Sequence, residues 1–527
     1  MEFNISSIDI AILVGYIILS KAIPLWLTRD KANNTKGYFL GGKSFTWPMI
    51  GLSLFATNQS GNSFIGLAGG AYQGGISVYS YEWMAAVILV FFAIFILPFY
   101  IRSKVFTMPE FLEKRYDYRT RRVFSAFNTF NLALIGGPVA IYSGALVVTT
   151  IFPKISIFTG VIILTLLSGV LSFVGGLSAV VISDMLQAIV LVIGAVVVSV
   201  YAFNLLPSWE EFLASIPEKH VHIVQPADDP DLPWPGLFSG LIIIGIYAWT
   251  SDQVMVQRVL GAKNLNQGRL GALFAGFLKL PILFTLILPG LFALYLFPDL
   301  EKADLAYPTL IAEVLPVGIK GVILAALVAA ITSSVDSILT SSSTLVTLDF
   351  VKPMRKNISE QQLVWVGRLT TAIIMLLLMV WSPLIQNFPS VWNYLQAAFS
   401  YTVPPVVMLF LLGITWRKAN RHGAFWGLTI SLAIGITGFV FVEVLEYVDL
   451  HFLYAAVIIS VVTLIVHIGI SLATAPEPTE KVEPLLWTAD LWHEETEALR
   501  GIPFYQNYRF WCVILLITTA VIVGWWW

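Results

Sequence analysis

Five ionisable residues stand inside long apolar stretches: Glu82, Asp184, Asp252, Lys279 and Asp336. A charge at the centre of a bilayer costs roughly 2.5–3.5 kcal/mol on insertion scales. Left unpaired, the set would cost on the order of 10 kcal/mol, close to the whole stability of an ordinary domain. These groups must therefore pair across helices, face a cavity or coordinate ions. A stripe of hydroxyls accompanies them: Ser333, Ser337 and Thr340 fall at i, i+4 and i+7, and Asp336 shares their face. Oxygen donors of this kind suit a hard cation such as Na⁺, although hydroxyls also back-bond to their own helix. Two further segments interrupt the apolar pattern. One is Ser53-Leu54-Phe55-Ala56-Thr57-Asn58-Gln59-Ser60-Gly61-Asn62-Ser63; the other is Ile246-Tyr247-Ala248-Trp249-Thr250-Ser251-Asp252-Gln253. A helix broken there frees backbone carbonyls for a cation, and discontinuous helices at the midplane build the sites of secondary transporters. Polar helix–helix packing through small residues is the competing reading of both segments.

The elements that carry these residues follow from composition. Of 527 residues, 57% are hydrophobic and 12% charged, against roughly 25% charged in a soluble domain. Such a chain needs lipid as its solvent. With about 20 apolar residues per spanning helix, fourteen spans are predicted: 8–27, 46–68, 79–101, 122–152, 155–174, 178–206, 235–257, 268–297, 318–348, 363–386, 390–416, 422–446, 451–473 and 508–527. Of the 30 Lys and Arg, 24 lie in alternate connections, 28–45, 102–122, 258–269, 352–368, 417–421 and 474–509, while Lys154, Lys219, Lys302 and Lys320 lie on the other side. The richer side is assigned to the cytoplasm, which places both termini outside. Lys21 and Lys279 fall within spans. Spans two and seven, the two interrupted ones, are five apart, the spacing of a five-helix repeat. The start Met-Glu-Phe-Asn lacks the basic residues of a cleaved signal, so the first apolar stretch is read as a retained helix. A single cysteine, Cys512, excludes a disulfide framework. The acidic outer loop 207–234 is expected to form a short amphipathic helix and a cap. The polar tail 474–507 reads as a cytoplasmic linker between a transporter domain, 1–473, and the last helix, 508–527.

At these residues the sequence resembles the sodium/solute symporter family, and its sodium–glucose cotransporter branch in particular. The resemblance runs from about residue 8 to 473 and is most specific at Ser80-Tyr81-Glu82-Trp83, Thr107-Met108-Pro109-Glu110-Phe111, Gly175-Gly176-Leu177-Ser178-Ala179-Val180, Asp231-Leu232-Pro233-Trp234-Pro235-Gly236 and Asp252-Gln253-Val254-Met255-Val256-Gln257-Arg258. Ala306-Tyr307-Pro308-Thr309-Leu310 and Gly423-Ala424-Phe425-Trp426-Gly427 add to it. The resemblance implies an all-α polytopic membrane protein with a leucine-transporter-like core of two inverted five-helix repeats, about 46–206 and 235–416, in a plasma or bacterial inner membrane. It implies a Na⁺ site made by the carbonyls of Ala56, Gln59 and Ala330 with the hydroxyls of Ser333 and Ser334. The resemblance also suggests a second cation site at Asp184, Asp336 and Ser337. There, Asp336 replaces a family hydroxyl; it is expected to bind Na⁺, to take a proton, or to pair with a neighbouring helix. Asn58, Ser63, Glu82, Lys279 and Gln396 stand at substrate-binding positions, where charged and amide groups fork across sugar hydroxyls. Leu67, Tyr81 and Trp392 match the outer lid. Three residues depart from the family: Ser63 replaces a larger amide or imidazole, Gly245 a Thr or Asn, and Ala248 the inner gating Tyr, for which Tyr247 and Trp249 are adjacent substitutes. The pocket is therefore expected to be roomier than in a strict glucose or galactose carrier.

The expected function is Na⁺-coupled import of a monosaccharide by alternating access, with Na⁺ as coupling ion and no other cofactor. Import of another polar solute, such as myo-inositol, a sialic acid or a small organic acid, is the alternative; Glu82 disfavours the anionic ones. A membrane-embedded enzyme or sensor would need a catalytic constellation or a soluble signalling domain. The six His residues are scattered without metal-ligand spacing. No phosphate-binding glycine loop is evident, so ATP drive is not expected; nor is a nucleic-acid partner. A channel would want a repeated filter, and none shows.

Overall fold

The structure, a computed structural model, describes residues 6–30, 34–59, 61–152, 154–355, 357–387 and 391–527. Among them the chain is helical throughout, with two isolated bridges in place of any sheet. Among the described residues eleven helices are long and apolar enough to cross a membrane, or twelve if one bent pair counts as a span. The difference from fourteen has a local cause, because four expected spans are not single, separate straight helices. The second is divided into α2 (Trp47–Asn58) and α3 (Gly61–Gly74). The eleventh is bent by 43° between Tyr394–Thr402 and Pro404–Thr415, where Pro404 and Pro405 interrupt the ladder. The fifth and sixth run together as the 47-residue helix Ile157–Phe203, hereafter α5, with Gly176 at φ 58, ψ −158 inside it. That conformation is essentially reserved for glycine, and a Cβ there would lie 2.6 Å from the Tyr38 carbonyl oxygen.

The seventh span breaks as well. A helix over Gly240–Ile246 passes into a π-helical turn, Tyr247–Ser251, and stops at Asp252, whose backbone is extended. A new helix, Gln253–Leu260, starts there because the Asp252 carboxylate accepts the Val254 N–H at 2.8 Å. Asp252 is thus a helix cap, the role its position in an apolar stretch concealed.

The most enclosed element is Ile319–Leu345, here α9 by its place in the membrane order. Every residue from Ala329 to Leu345 is buried. A helix this rich in hydroxyls has no lipid face, and it packs against α5, α2 and the first helix, α1 (Ser7–Thr28). Its hydroxyls first satisfy its own backbone: Ser337 donates to Ser333 O at 2.7 Å, Thr340 to Asp336 O at 2.8 Å and Thr344 to Thr340 O at 2.8 Å. By contrast α1 exposes Ile8, Val14, Ile18, Leu19 and Trp26, an apolar face that suits lipid.

The tail 474–507 is docked on the helices. The Trp487 N–H donates to Ile414 O at 2.8 Å. Within the short helix Ala489–Ala498, Glu495 accepts from Arg269, from Tyr508 at 2.6 Å and from Arg509 at 3.2 Å. On the other side, loop 207–234 contains the expected short helix, Trp209–Ser215, capped by Ser208.

Candidate functional site

The break between α2 and α3 faces the middle of α9. The Ser334 hydroxyl donates to Thr57 O at 2.9 Å and to Ala330 O at 3.3 Å, so it joins the carbonyl end of α2 to the hydroxyl stripe. Ala56, Gln59 and Ala330 are fully buried around this junction. Gln59 leaves helical geometry at ψ 77, which frees its carbonyl from the ladder. The arrangement is a set of buried oxygens at a helix break, of the kind that can replace a cation's hydration shell.

One hydrogen bond away lies a buried carboxylate. Asp184, on α5, accepts from Ser333 at 2.6 Å and Ser53 at 2.6 Å, and from Thr57 at 3.3 Å. Its charge is met by Arg258, whose Nη2 lies 3.2 Å away with both side chains fully buried. The same guanidinium donates to Ser53 at 2.9 Å and to Ser337. Asp184 and Ser337 are thus brought together around a cation that belongs to the protein. Asp336 points elsewhere, to Lys21 on α1 at 2.9 Å; of the expected roles, pairing with a neighbouring helix is the one the geometry displays. Arg258 was grouped by sequence with the cytoplasmic loop. It stands on the helix Gln253–Leu260, buried at every residue, one turn after Val254, whose carbonyl it also reaches.

Next to the break is a cavity of about 190 Å³. Asn58, Ser63, Glu82 and Gln396 line it, as do Tyr81 and Trp249. Lys279 stands behind this wall: its ammonium donates to Glu82 at 2.7 Å and to Asn58, and sits 5.5 Å from the Trp249 ring centroid. Gln59 donates its amide to Glu82 at 3.1 Å. The Ser63 hydroxyl donates to Asn58 O at 3.1 Å. The five positions expected to bind substrate therefore converge, and the acid among them is charge-balanced. All the misplaced charges are compensated in pairs or as a cap, which answers the insertion cost.

The gating positions divide. Tyr81 and Trp249 border the cavity. Leu67 is buried within α3. Tyr247 is buried and donates to Asn128 at 3.1 Å, in place of lining the cavity. The Trp392 side chain lies outside the described residues. Among the described residues no group of three His, Cys, Asp or Glu is placed to hold a metal ion.

A broken helix against a hydroxyl-bearing partner, with a polar cavity beside the break, is an arrangement that a membrane transporter can use for a cation and a solute together. Residues 38–431 match the sodium:solute symporter family. The chain is 33% identical to sodium/glucose cotransporter 4 of Danio rerio, across 92% of this chain and 82% of that one. It is 34% identical to sodium/myo-inositol cotransporter 2 of Bos taurus, across 91% and 78%. Among solved structures, a Na⁺-coupled sialic acid symporter in a substrate-bound outward-open state aligns with a TM-score of 0.78 at 24% identity, covering 89% of this chain and 99% of that one. The chain belongs to the sodium:solute symporter family. It is a multi-pass membrane protein and a Na⁺-coupled solute symporter, and its family is one of transporters, not of enzymes.

Proposed function

We propose that this symporter imports a monosaccharide, such as glucose or galactose, by alternating access. Na⁺ binds the carbonyls of Ala56, Gln59 and Ala330 and the hydroxyls of Ser333 and Ser334. The sugar binds Asn58, Ser63, Glu82, Lys279 and Gln396, with Leu67, Tyr81 and Trp392 towards the outside and Tyr247 and Trp249 towards the inside. The observation that carries this reading is that one broken segment borders both sites: Thr57 O meets Ser334, while Asn58 and Ser63 line the cavity. Occupation of either site then favours the same arrangement of α2 and α3, which is what coupling requires. One charge crossing about 100 mV contributes about 2.3 kcal/mol, enough for roughly 50-fold accumulation.

The neutralised Glu82–Lys279 pair favours an uncharged polyol. Myo-inositol is the second reading, and the relatives named for it favour that solute as much as others favour glucose. A second cation, or a proton, at Asp184, Asp336 and Ser337 is a further reading; it draws support from the 2.6 Å bond that links Asp184 to Ser333. Against it stand the protein's own cations, Arg258 and Lys21, so we favour one Na⁺ per solute. We propose fourteen spans with repeats at about 46–206 and 235–416. The breaks at Gln59, Gly176 and Val403 would divide or bend the helices needed to reach that count, and the matching break at Asp252 supports the repeat. Uptake of a panel of radiolabelled sugars, polyols and acids into proteoliposomes, in Na⁺ against choline, tests the function. Equal sugar uptake in the two buffers rejects it.

A further inference from the structure

The cytoplasmic face gathers more positive charge than the protein pairs. A cavity of about 560 Å³ lies between the docked tail and the helix Leu97–Arg102, which ends the third span. Arg102, Ser103 and Lys114 line one side of it; Lys481, Leu486 and Thr488 line the other. Its one lining acid, Glu483, is met by Arg417 at 3.2 Å. Lys481 reaches Glu477 at 2.9 Å, while Lys114 is 3.9 Å from Glu110. Among the described residues Arg102 forms no ion pair, and neither do Lys36, Lys43 and Lys104.

Those three lysines stand together with Lys114. Partial burial, and then the charges of Lys36, Lys104 and Lys114, hold the Lys43 ammonium below the usual lysine range, with Glu110 as the opposing acid. Like charges held within reach of one another repel, and an anion among them removes the cost. The backbone adds to the case. Gly41, Gly42 and Lys43 have φ of 60°, 71° and 53°, and Lys104 has φ of 52°. Glycine serves such left-handed turns best. Two positions therefore carry lysine where conformation and repulsion both disfavour it, a pattern that strain at functional sites explains.

The depth of this cluster says which anion it meets. Trp47, 39% exposed, follows the Lys43 turn at the start of α2, and an exposed Trp at the end of a span sits at headgroup level. Basic residues at that depth attract the phosphates of an anionic leaflet. We propose that the cavity at Arg102, with the lysines around Lys114, binds the phosphate of an anionic phospholipid from the cytoplasmic leaflet. Arg102 offers a planar fork to two phosphate oxygens. Lys114 and Lys481 add charge from the two walls, so the headgroup fastens the tail to the end of the third span.

The test is thermal unfolding of the full chain in neutral detergent, titrated with phosphatidylglycerol, phosphatidylcholine or inorganic phosphate. Phosphatidylglycerol is expected to raise the midpoint, and the other two are not. Arg102→Gln with Lys43→Asn should raise the phosphatidylglycerol concentration for half the effect by about 25-fold, about fivefold per cation removed. Without lipid this variant is expected to melt no lower than the wild type, since Asn tolerates the left-handed turn and Arg102 forms no ion pair. Arg102→Gln alone, expected at about fivefold, decides the matter if the double variant does not purify. The control, Lys219→Gln with Lys302→Gln on the other face, should leave the titration unchanged. Phosphatidylcholine as effective as phosphatidylglycerol, an unshifted titration in the Arg102 variants, or an equal shift in the control overturns the proposal. Inorganic phosphate that reproduces the full effect overturns the assignment to lipid.

Discussion

The Lys21–Asp336 pair offers the sharpest test of how the buried charges are used. The two side chains are 11% and 0% exposed and 2.9 Å apart. At an effective dielectric of about 20, Coulomb's law gives about 6 kcal/mol at that distance. Removing one partner of such a buried pair costs about 3–5 kcal/mol, chiefly because it strands the other charge. The stranded group matters here: Asp336 Oδ1 is buried with no hydrogen-bond partner among the described residues, so Lys21 carries the compensation. Lys21→Met is therefore expected to destabilise by about 3–5 kcal/mol. Asp336→Asn should cost less, since Lys21 lies two turns from the end of α1 and its flexible stem can carry the ammonium towards that end. Lys21→Met with Asp336→Leu replaces the pair by apolar groups and should recover most of the loss. Thermal unfolding of the purified protein in detergent measures all three. The Na⁺ to solute ratio, from reversal potentials in proteoliposomes, is expected to stay at one in Asp336→Asn. A double variant no more stable than Lys21→Met, or a ratio that falls when Asp336 is neutralised, would refute the view of Asp336 as a tether to α1 and return it to the cation pathway.

Ser334→Ala removes a hydroxyl from the junction of α2 and α9; it is expected to raise the Na⁺ concentration for half-maximal uptake about tenfold, read from a Na⁺ titration at saturating solute. Gln396→Ala should instead raise the half-saturating solute concentration by about five- to tenfold with Na⁺ dependence retained, checked by solute titration at fixed Na⁺. Gly176→Ala forces a side chain into a positive-φ conformation 2.6 Å from the Tyr38 carbonyl and should cost about 1–3 kcal/mol, measured by thermal unfolding. In the tail, burial works to raise the Glu495 carboxyl, but hydrogen bonds from Tyr508, Arg269 and Arg509 outweigh it and hold it below the ordinary range. A carboxylate depressed in the folded state contributes fully above its unfolded value and loses that contribution as pH falls through its folded one. Tail docking should thus be intact at pH 7 and weaken below the ordinary carboxylate range, with limited proteolysis of 474–507 as the readout; Glu495→Gln should be cleaved readily at both ends of that range.

Much of the site was legible because its signals are local. The run from Ser53 to Ser63 is too polar for a continuous lipid-facing helix, and the structure ends α2 at Asn58. The stripe from Ser333 to Thr340 needed only the helical period, but its members divide: Ser337 meets Thr57 at the break and Ser333 meets Asp184, while Thr340 turns to Ser172 and Asp336 to Lys21. Asp252 misled because a charge in an apolar window looks the same whether it binds an ion or starts a helix. Only the extended backbone at that residue and the bond to Val254 distinguish the two. Arg258 misled in the opposite way: at the edge of a span it counts as a loop cation, while the turn of its helix carries it inwards to Asp184.

The sequence by itself determined that the chain lives in lipid, where its helices lie, where two of them break and which oxygens could serve a cation. These follow from sums over a window of neighbours: apolar area, helical period and the cost of a polar backbone in hydrocarbon. What only the tertiary structure decided is which charge meets which. Lys21 and Asp336 are 315 residues apart, Lys279 and Glu82 are 197, and Arg258 and Asp184 are 74. Each pairing depends on how helices are rotated and stacked against one another, a matter of packing that no window along the chain records.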